Sequence, residues 1–245
     1  MIGSGGFGDT VHGDKFTGDK IGGDKFGGDK IMGDVIGRDK VSFRAHRPVD
    51  PRVILIMSAN PRGTSALRLA DEVREISAAV TRAQARDRVA VHTAAALRLD
   101  DLQQSLQQHR PALVHFSGHG TESDGLLVND EFGLRQPVPP QALSRLFGIL
   151  HDSLRCVVLS ACSTYQQARA VAEHVPCVIG MRGAVPDDTA VRFATGFYEA
   201  IAFGQSVRAA FELGCNRIEL HGHDDAGIPA LLSDPGVAEQ TFIVE

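Results

Sequence analysis

Five short apolar runs alternate with amphipathic or turn-rich segments, and this alternation restricts the fold more than any other feature of the chain. The runs are Val53-Ile54-Leu55-Ile56-Met57, Val89-Ala90-Val91, Ala112-Leu113-Val114-His115-Phe116, Cys156-Val157-Val158-Leu159 and Cys177-Val178-Ile179-Gly180-Met181. Short, continuous apolar runs suit strands covered on both faces. After the first run, Asn60-Pro61-Arg62-Gly63 turns the chain, and Thr64 or Ser65 is the expected cap of a helix. Leu67, Ala70, Val73, Ile76 and Val80 then mark one helical face, and Leu99, Leu102 and Leu106 mark another. Gly125 through Phe132 reads as a small hairpin, and Pro139 or Pro140 opens a helix carrying Leu143, Leu146 and Leu150. A long helical stretch runs from Asp187 towards Leu220, broken around Gly204, and the C-terminus is less readable. Strands alternating with helices predict an α/β fold, with a mostly parallel sheet flanked by helices on both faces.

The first forty or so residues follow a different logic. Gly-Asp recurs every five residues from Gly8-Asp9 to Gly33-Asp34 and degenerates at Arg38-Asp39. Lys follows at 15, 20, 25, 30 and 40, and an apolar residue at Val11, Phe16, Ile21, Phe26, Ile31, Ile36 and Val41. Neither strand nor helix periodicity divides five, so a flat strand or straight helix would scatter these side chains. A chain that turns once per pentad points them all inward, with Gly-Asp at the turn. This geometry is β-solenoid-like, and so few pentads bury a core only by stacking on neighbours. The expected organisation is therefore a pentad-repeat assembly or signalling segment at 1–41, a linker at 42–51 and the α/β domain at 52–245. The segment is expected to self-associate or to stack on a partner's similar repeat; a flexible charged tail is the alternative.

Composition sets outer limits. With 25 Lys and Arg against 30 Asp and Glu, the net charge of −5 gives no long-range attraction to nucleic acid or an anionic membrane. No apolar run approaches the roughly 18 residues of a membrane-spanning helix, and no basic-then-apolar leader pattern appears. Cys156, Cys162, Cys177 and Cys215 show neither CxxC pairing nor metal-ligand spacing, which fits free thiols in a reducing cytoplasm without a metal or other cofactor.

Two strand ends carry the candidate chemistry. The third run leads into Ser117-Gly118-His119-Gly120 and the fourth into Ser160-Ala161-Cys162-Ser163. Ligands bind outside the carboxyl ends of strands in open parallel sheets. Parallel neighbours would bring His119 and Cys162 to the same edge. A histidine there can take the thiol proton and leave a thiolate nucleophile. The Gly120 and Cys162 amides lie beside the reacting atoms and are the expected oxyanion donors. His115 and Cys156 lie inside their runs and read as core residues, as do Cys177 and Cys215.

The stretches Val114-His115-Phe116-Ser117-Gly118-His119-Gly120 and Val157-Val158-Leu159-Ser160-Ala161-Cys162-Ser163-Thr164 resemble the CHAT family of caspase-like peptidases. The likeness extends to Gly125-Leu126-Leu127-Val128, to Val178-Ile179-Gly180-Met181 and to the segment holding Phe193, Phe197 and Tyr198. It implies a caspase-like fold over roughly residues 52 to 230, with His119 as general base and Cys162 as nucleophile acting on a protein substrate. A caspase-style Gln-Ala-Cys-x-Gly is absent, so strict cleavage after Asp is not implied. Similar Gly-Asp-Lys repeats accompany bacterial defence and signalling proteins, which implies an effector recruited through its N-terminus.

For specificity, a basic side chain before the scissile bond would want an acidic wall. Asp124, Asp130, Glu131, Asp187 and Asp188 lie in segments able to reach the site, with Ser160 and Arg182 as further pocket candidates. His221-Gly222-His223-Asp224-Asp225 lacks the remaining ligands of a metal site and reads as a polar loop. A non-catalytic caspase-like scaffold and a non-peptidase thiol hydrolase are the competing functional readings.

Overall fold

A computed structural model describes residues 51–83 and 86–244. The pentad segment and almost all of the linker lie outside the described residues. Strand β1 (Arg52–Ala59) is followed by helix α1 (Leu69–Arg82), β2 (Val89–Ala94), α2 (Leu99–His109) and β3 (Leu113–Thr121). Then come β4 (Gly125–Asn129), β5 (Arg135–Val138), α3 (Pro140–Ile149), β6 (Cys156–Ser160), α4 (Tyr165–Val171) and β7 (Cys177–Met181). The chain continues through α5 (Asp187–Ala202), α6 (Val207–Leu220), β8 (Pro229–Leu232) and α7 (Val237–Gln240).

All five apolar runs become neighbours in one sheet of order β2-β1-β3-β6-β7-β8. Every pairing along it is parallel except β7 with β8. Alternate residues of each run enter opposite cores, which is why the runs are apolar without a break. Ile54, Ile56, Cys156, Val158, Cys177 and Ile179 pack towards α1, α5 and α6. Leu55, Met57, Val114, Phe116, Val157 and Leu159 pack towards α2, α3 and α4.

Several boundaries differ from expectation, each for a local reason. Helix α1 starts at Leu69, and neither Thr64 nor Ser65 caps it. Thr64 Oγ1 instead bonds the Pro61 carbonyl at 2.6 Å, closing the turn. The first free amide of α1 is met from another helix, since Asp187 accepts from the Arg68 N–H at 3.1 Å. The buried stripe of α1 is Glu72, Ile76, Ala79 and Val80, rotated from the face centred on Ala70 and Val73; Ala70 is exposed. The hairpin consists of β4 and β5, and its turn begins at Asp130 rather than closing by Phe132. The long helical stretch breaks near Gly204 as expected, whereas α4, β8 and α7 had no sequence reading.

Candidate active site

Strand β3 belongs to two pairings in succession. It runs parallel to β1 as far as Gly118 and to β6 as far as Ser117. From His119 to Thr121 it pairs antiparallel with β4 instead. Ser117 and Ser160 are register partners on β3 and β6, so His119 and Cys162 each stand two residues beyond a shared rung. The parallel register therefore brings both to the carboxyl edge of the sheet.

Glycines allow the strands to close up here. A Cβ on Gly120 would stand 2.5 Å from the Cys162 carbonyl oxygen, and one on Gly118 would stand 2.7 Å from the Ala59 carbonyl. Such contacts exclude any side chain at either position. The turn after β6 is fixed by Thr164, which is fully buried. Its Oγ1 lies 2.9 Å from the Leu159 carbonyl and 3.0 Å from the Ala161 carbonyl, and accepts the Met181 N–H at 3.0 Å. Ser163 adopts a left-handed φ of 54°, a conformation that side-chain-bearing residues hold only when their surroundings enforce it. The Ala161 and Ser163 amides donate to Leu159 and Gly183. The Cys162 amide between them has no backbone acceptor among the described residues. Cys162 Sγ accepts the Val185 N–H at 3.4 Å.

His119 Nε2 lies 3.0 Å from the Ser65 carbonyl oxygen and 3.1 Å from Asn60 Oδ1. A carbonyl oxygen can only accept, so this nitrogen carries the proton and the neutral ring keeps Nδ1 as its basic atom. The expected turn at Asn60 and the expected cap position Ser65 thus both serve to orient this imidazole. No hydrogen bond joins His119 to Cys162; the two line one small cavity of about 40 Å³ with Ser117, Ser160, Leu67, Arg68, Val185 and Asp187. A larger open depression, bordered by Gln166, Arg169, Glu173, His174 and Asp234, shares no residue with it and contains no cysteine.

Glu72 also lines this cavity, and no sequence reading singled it out. It comes from α1, is only 3% exposed, and shares the cavity with His119 and Cys162. His115 Nε2 approaches its Oε1 at 3.2 Å, Ser160 Oγ donates to Oε1 at 3.1 Å, and Ser117 Oγ donates to Oε2. Burial works to raise the Glu72 carboxyl, but attraction to His115 and the three hydrogen bonds outweigh it and hold the group below the ordinary glutamate value. The signal was present in the sequence as an acid sharing helical spacing with Ile76, Ala79 and Val80, together with a histidine inside an apolar strand.

The remaining candidates divide clearly. Ser160 and Asp187 reach the cavity, and Asp187 and Asp188 both bind Arg68, the latter at 2.6 Å. Asp130 accepts the Phe132 and Leu134 amides and so organises the β4–β5 turn, while Asp124 is exposed and its amide donates to Thr121 Oγ1. Glu131 is exposed, and Arg182 lies over the Tyr165 ring at 4.8 Å. Asp124, Asp130, Glu131 and Arg182 do not line the cavity. Asp225 accepts from Thr189 at 2.9 Å, and no group of three or more potential metal ligands forms among the described residues. His115 and Cys156 are fully buried, as expected for core residues. Burial raises the Cys156 and Cys177 thiols and pushes Cys215 up to about 12. No helix among the described residues is long and apolar enough to cross a membrane.

The fold is similar to that of the Arg-specific cysteine proteinase gingipain R. That match has a TM-score of 0.55 and 12% identity, covering 78% of this chain and 48% of gingipain R. A "Probable protease" from Gillisia limnaea is 24% identical over 156 residues, covering 62% of this chain and 27% of that protein. A "Roc-COR-CHAT protease" from an unknown prokaryotic organism is 24% identical over 157 residues, covering 60% of this chain and 15% of that protein. The chain thus spans roughly a quarter or less of the curated relatives it matches. The CHAT domain itself matches residues 37–213, well over half of the sequence. By that match the chain belongs to the CHAT domain family.

Proposed function

We propose that this chain is a cysteine endopeptidase in which Cys162 is the nucleophile and His119 the general base. The observation that carries the reading is the single cavity into which two parallel strands deliver both side chains, with His119 already oriented by Ser65 and Asn60. His119 Nδ1 takes the thiol proton, and the thiolate attacks the peptide carbonyl carbon. The negative charge that develops on the carbonyl oxygen is met by the Cys162 and Gly120 amides. As the C–N bond breaks, His119 returns its proton to the leaving amine. Water then hydrolyses the thioester and restores the thiol.

Family membership and the names of both curated relatives support peptide-bond hydrolysis. Both relatives extend far beyond the matched region, so in them this domain is one part of a larger chain. The same logic extends to the pentads: residues 1–41 act as an assembly segment that brings copies together and switches the peptidase on, as in an effector of a bacterial defence or signalling system.

A thiol-directed activity probe applied to wild type, Cys162→Ala and His119→Ala tests the chemistry. Labelling is expected to need both residues. Labelling that needs Cys162 but not His119 would leave a reactive thiol without a dyad. For the switch, the full chain is compared with residues 42–245 at equal low concentration. Equal cleavage rates would remove the role assigned to the repeat.

A further inference from the structure

The floor of the cavity is chemically specific in a way that catalysis does not use. Glu72 does not touch Cys162, yet its carboxylate is nearly buried and faces the same space. An ionised carboxylate offers about four acceptor positions. His115, Ser160 and Ser117 fill three of them, which leaves one on Oε2. His115 Nδ1 has no hydrogen-bond partner. A second carboxylate, Asp187, also lines the cavity. The cavity's cation, Arg68, is already engaged by Asp71 at 2.8 Å and by Asp188 at 2.6 Å. Leu67, Val185 and Val191 supply apolar wall, suited to the methylene stem of a long basic side chain.

We propose that this cavity receives the side chain preceding the scissile bond, and that Glu72 selects lysine or arginine there. The inference rests on Cys162 being the nucleophile, because only then does the cavity beside it hold the residue whose carbonyl is attacked. The ammonium or guanidinium donates to the free lone pair of Oε2. An aspartate in the same position would meet Glu72 and Asp187, and a leucine would leave the carboxylate unpaired.

The test uses the full chain and three peptidyl acyloxymethyl ketones that differ only in the residue next to the ketone: arginine, leucine or aspartate. Rates of Cys162 modification are read by intact mass and peptide mapping. Arginine is expected to react about 30-fold or more faster than leucine, as for pairing against a buried charge, with aspartate slowest. In Glu72→Gln the arginine-to-leucine ratio is expected to collapse towards one. Should that variant fail to fold, the wild-type ranking alone decides. Cys162 labelled as fast through leucine or aspartate as through arginine would overturn the selectivity and leave the peptidase reading standing. Cys162 unmodified by all three would remove both.

Discussion

Strands β3 and β6 each bring a histidine or a cysteine to two places. His115 and Cys156 lie inside the sheet, while His119 and Cys162 lie just past its carboxyl edge. The residue types are the same and the strands are the same, yet the surroundings differ completely. The inner pair is fully buried, and burial lifts the Cys156 thiol well above its ordinary value, which keeps it an inert thiol. His115 is spent on Glu72. The outer pair escapes because β3 exchanges its parallel neighbours for β4 at His119 and the chain turns after Ser160. What distinguishes a candidate catalytic pair from two core residues here is a few residues of strand length.

Replacing each cysteine in turn tests that contrast most severely. Cys162→Ala is expected to lower peptidase activity by about 10⁴-fold or more. Cys156→Ala is expected to change the rate of chemistry little and to lower stability by about 1–2 kcal/mol through lost packing. Matching losses of kcat in both variants, with both folded, would erase the distinction.

Thiol accessibility gives a second, somewhat smaller contrast. With iodoacetamide near pH 8, Cys162 is expected to be alkylated first, and Cys156 only after denaturant is added. Site-resolved mass spectrometry would show the order, and early modification of Cys156 in native protein would contradict its placement.

Glu72 ties the two regions together, since it binds His115 from the inner pair and lines the cavity of the outer one. Glu72→Ala leaves three buried donors unmet and is expected to cost about 3–5 kcal/mol. Its folded value lies below the unfolded one, so its ionisation contributes stability that is fully present above the ordinary glutamate value of 4.5 and is lost as pH falls through the lower folded value. Wild type should therefore lose thermal stability more steeply than Glu72→Gln on acidification below that value. Parallel melting curves across pH 5 to about 3 would discount the pairing.

The smallest expected effect sharpens the geometry of the turn. Thr164→Val keeps the shape but removes the hydroxyl that links the Leu159 and Ala161 carbonyls to the Met181 amide. It is expected to cost about 1–3 kcal/mol and to reduce kcat through displacement of Cys162 more than it raises KM. A change in KM alone would separate this turn from the nucleophile.

Much of the site was legible because its signals are local. Apolar runs of four or five residues ending in Ser-Gly-His-Gly and Ser-Ala-Cys-Ser place Cys162 past the end of β6 without any knowledge of neighbours, whereas His119, expected after its strand, lies within β3 where it pairs with β4. The start of α1 was misread for the opposite reason. Thr64 and Ser65 resemble caps, but the amide at Arg68 is satisfied by Asp187, a partner 119 residues away. Strand β8 pairs antiparallel with β7 through Pro229–Leu232, and four residues carry too little periodicity to announce a strand. Of the acidic candidates for the pocket, Asp187 arrives and Asp124 and Asp130 do not, because loop direction is fixed by packing rather than by spacing.

The sequence by itself determined the parallel α/β plan, the apolar runs that lead to the outer histidine and cysteine, and the pentad rhythm of the N-terminal segment. Each follows from side-chain patterns within a few residues. Only the tertiary structure decided that Glu72 shares a cavity with that pair, held by His115, Ser117 and Ser160 from two strands. A glutamate on a helix is ordinarily solvated, and what buries this one is the sheet face against which α1 packs. Local pattern thus places the candidate groups, while the acid in their cavity depends on contacts between distant segments.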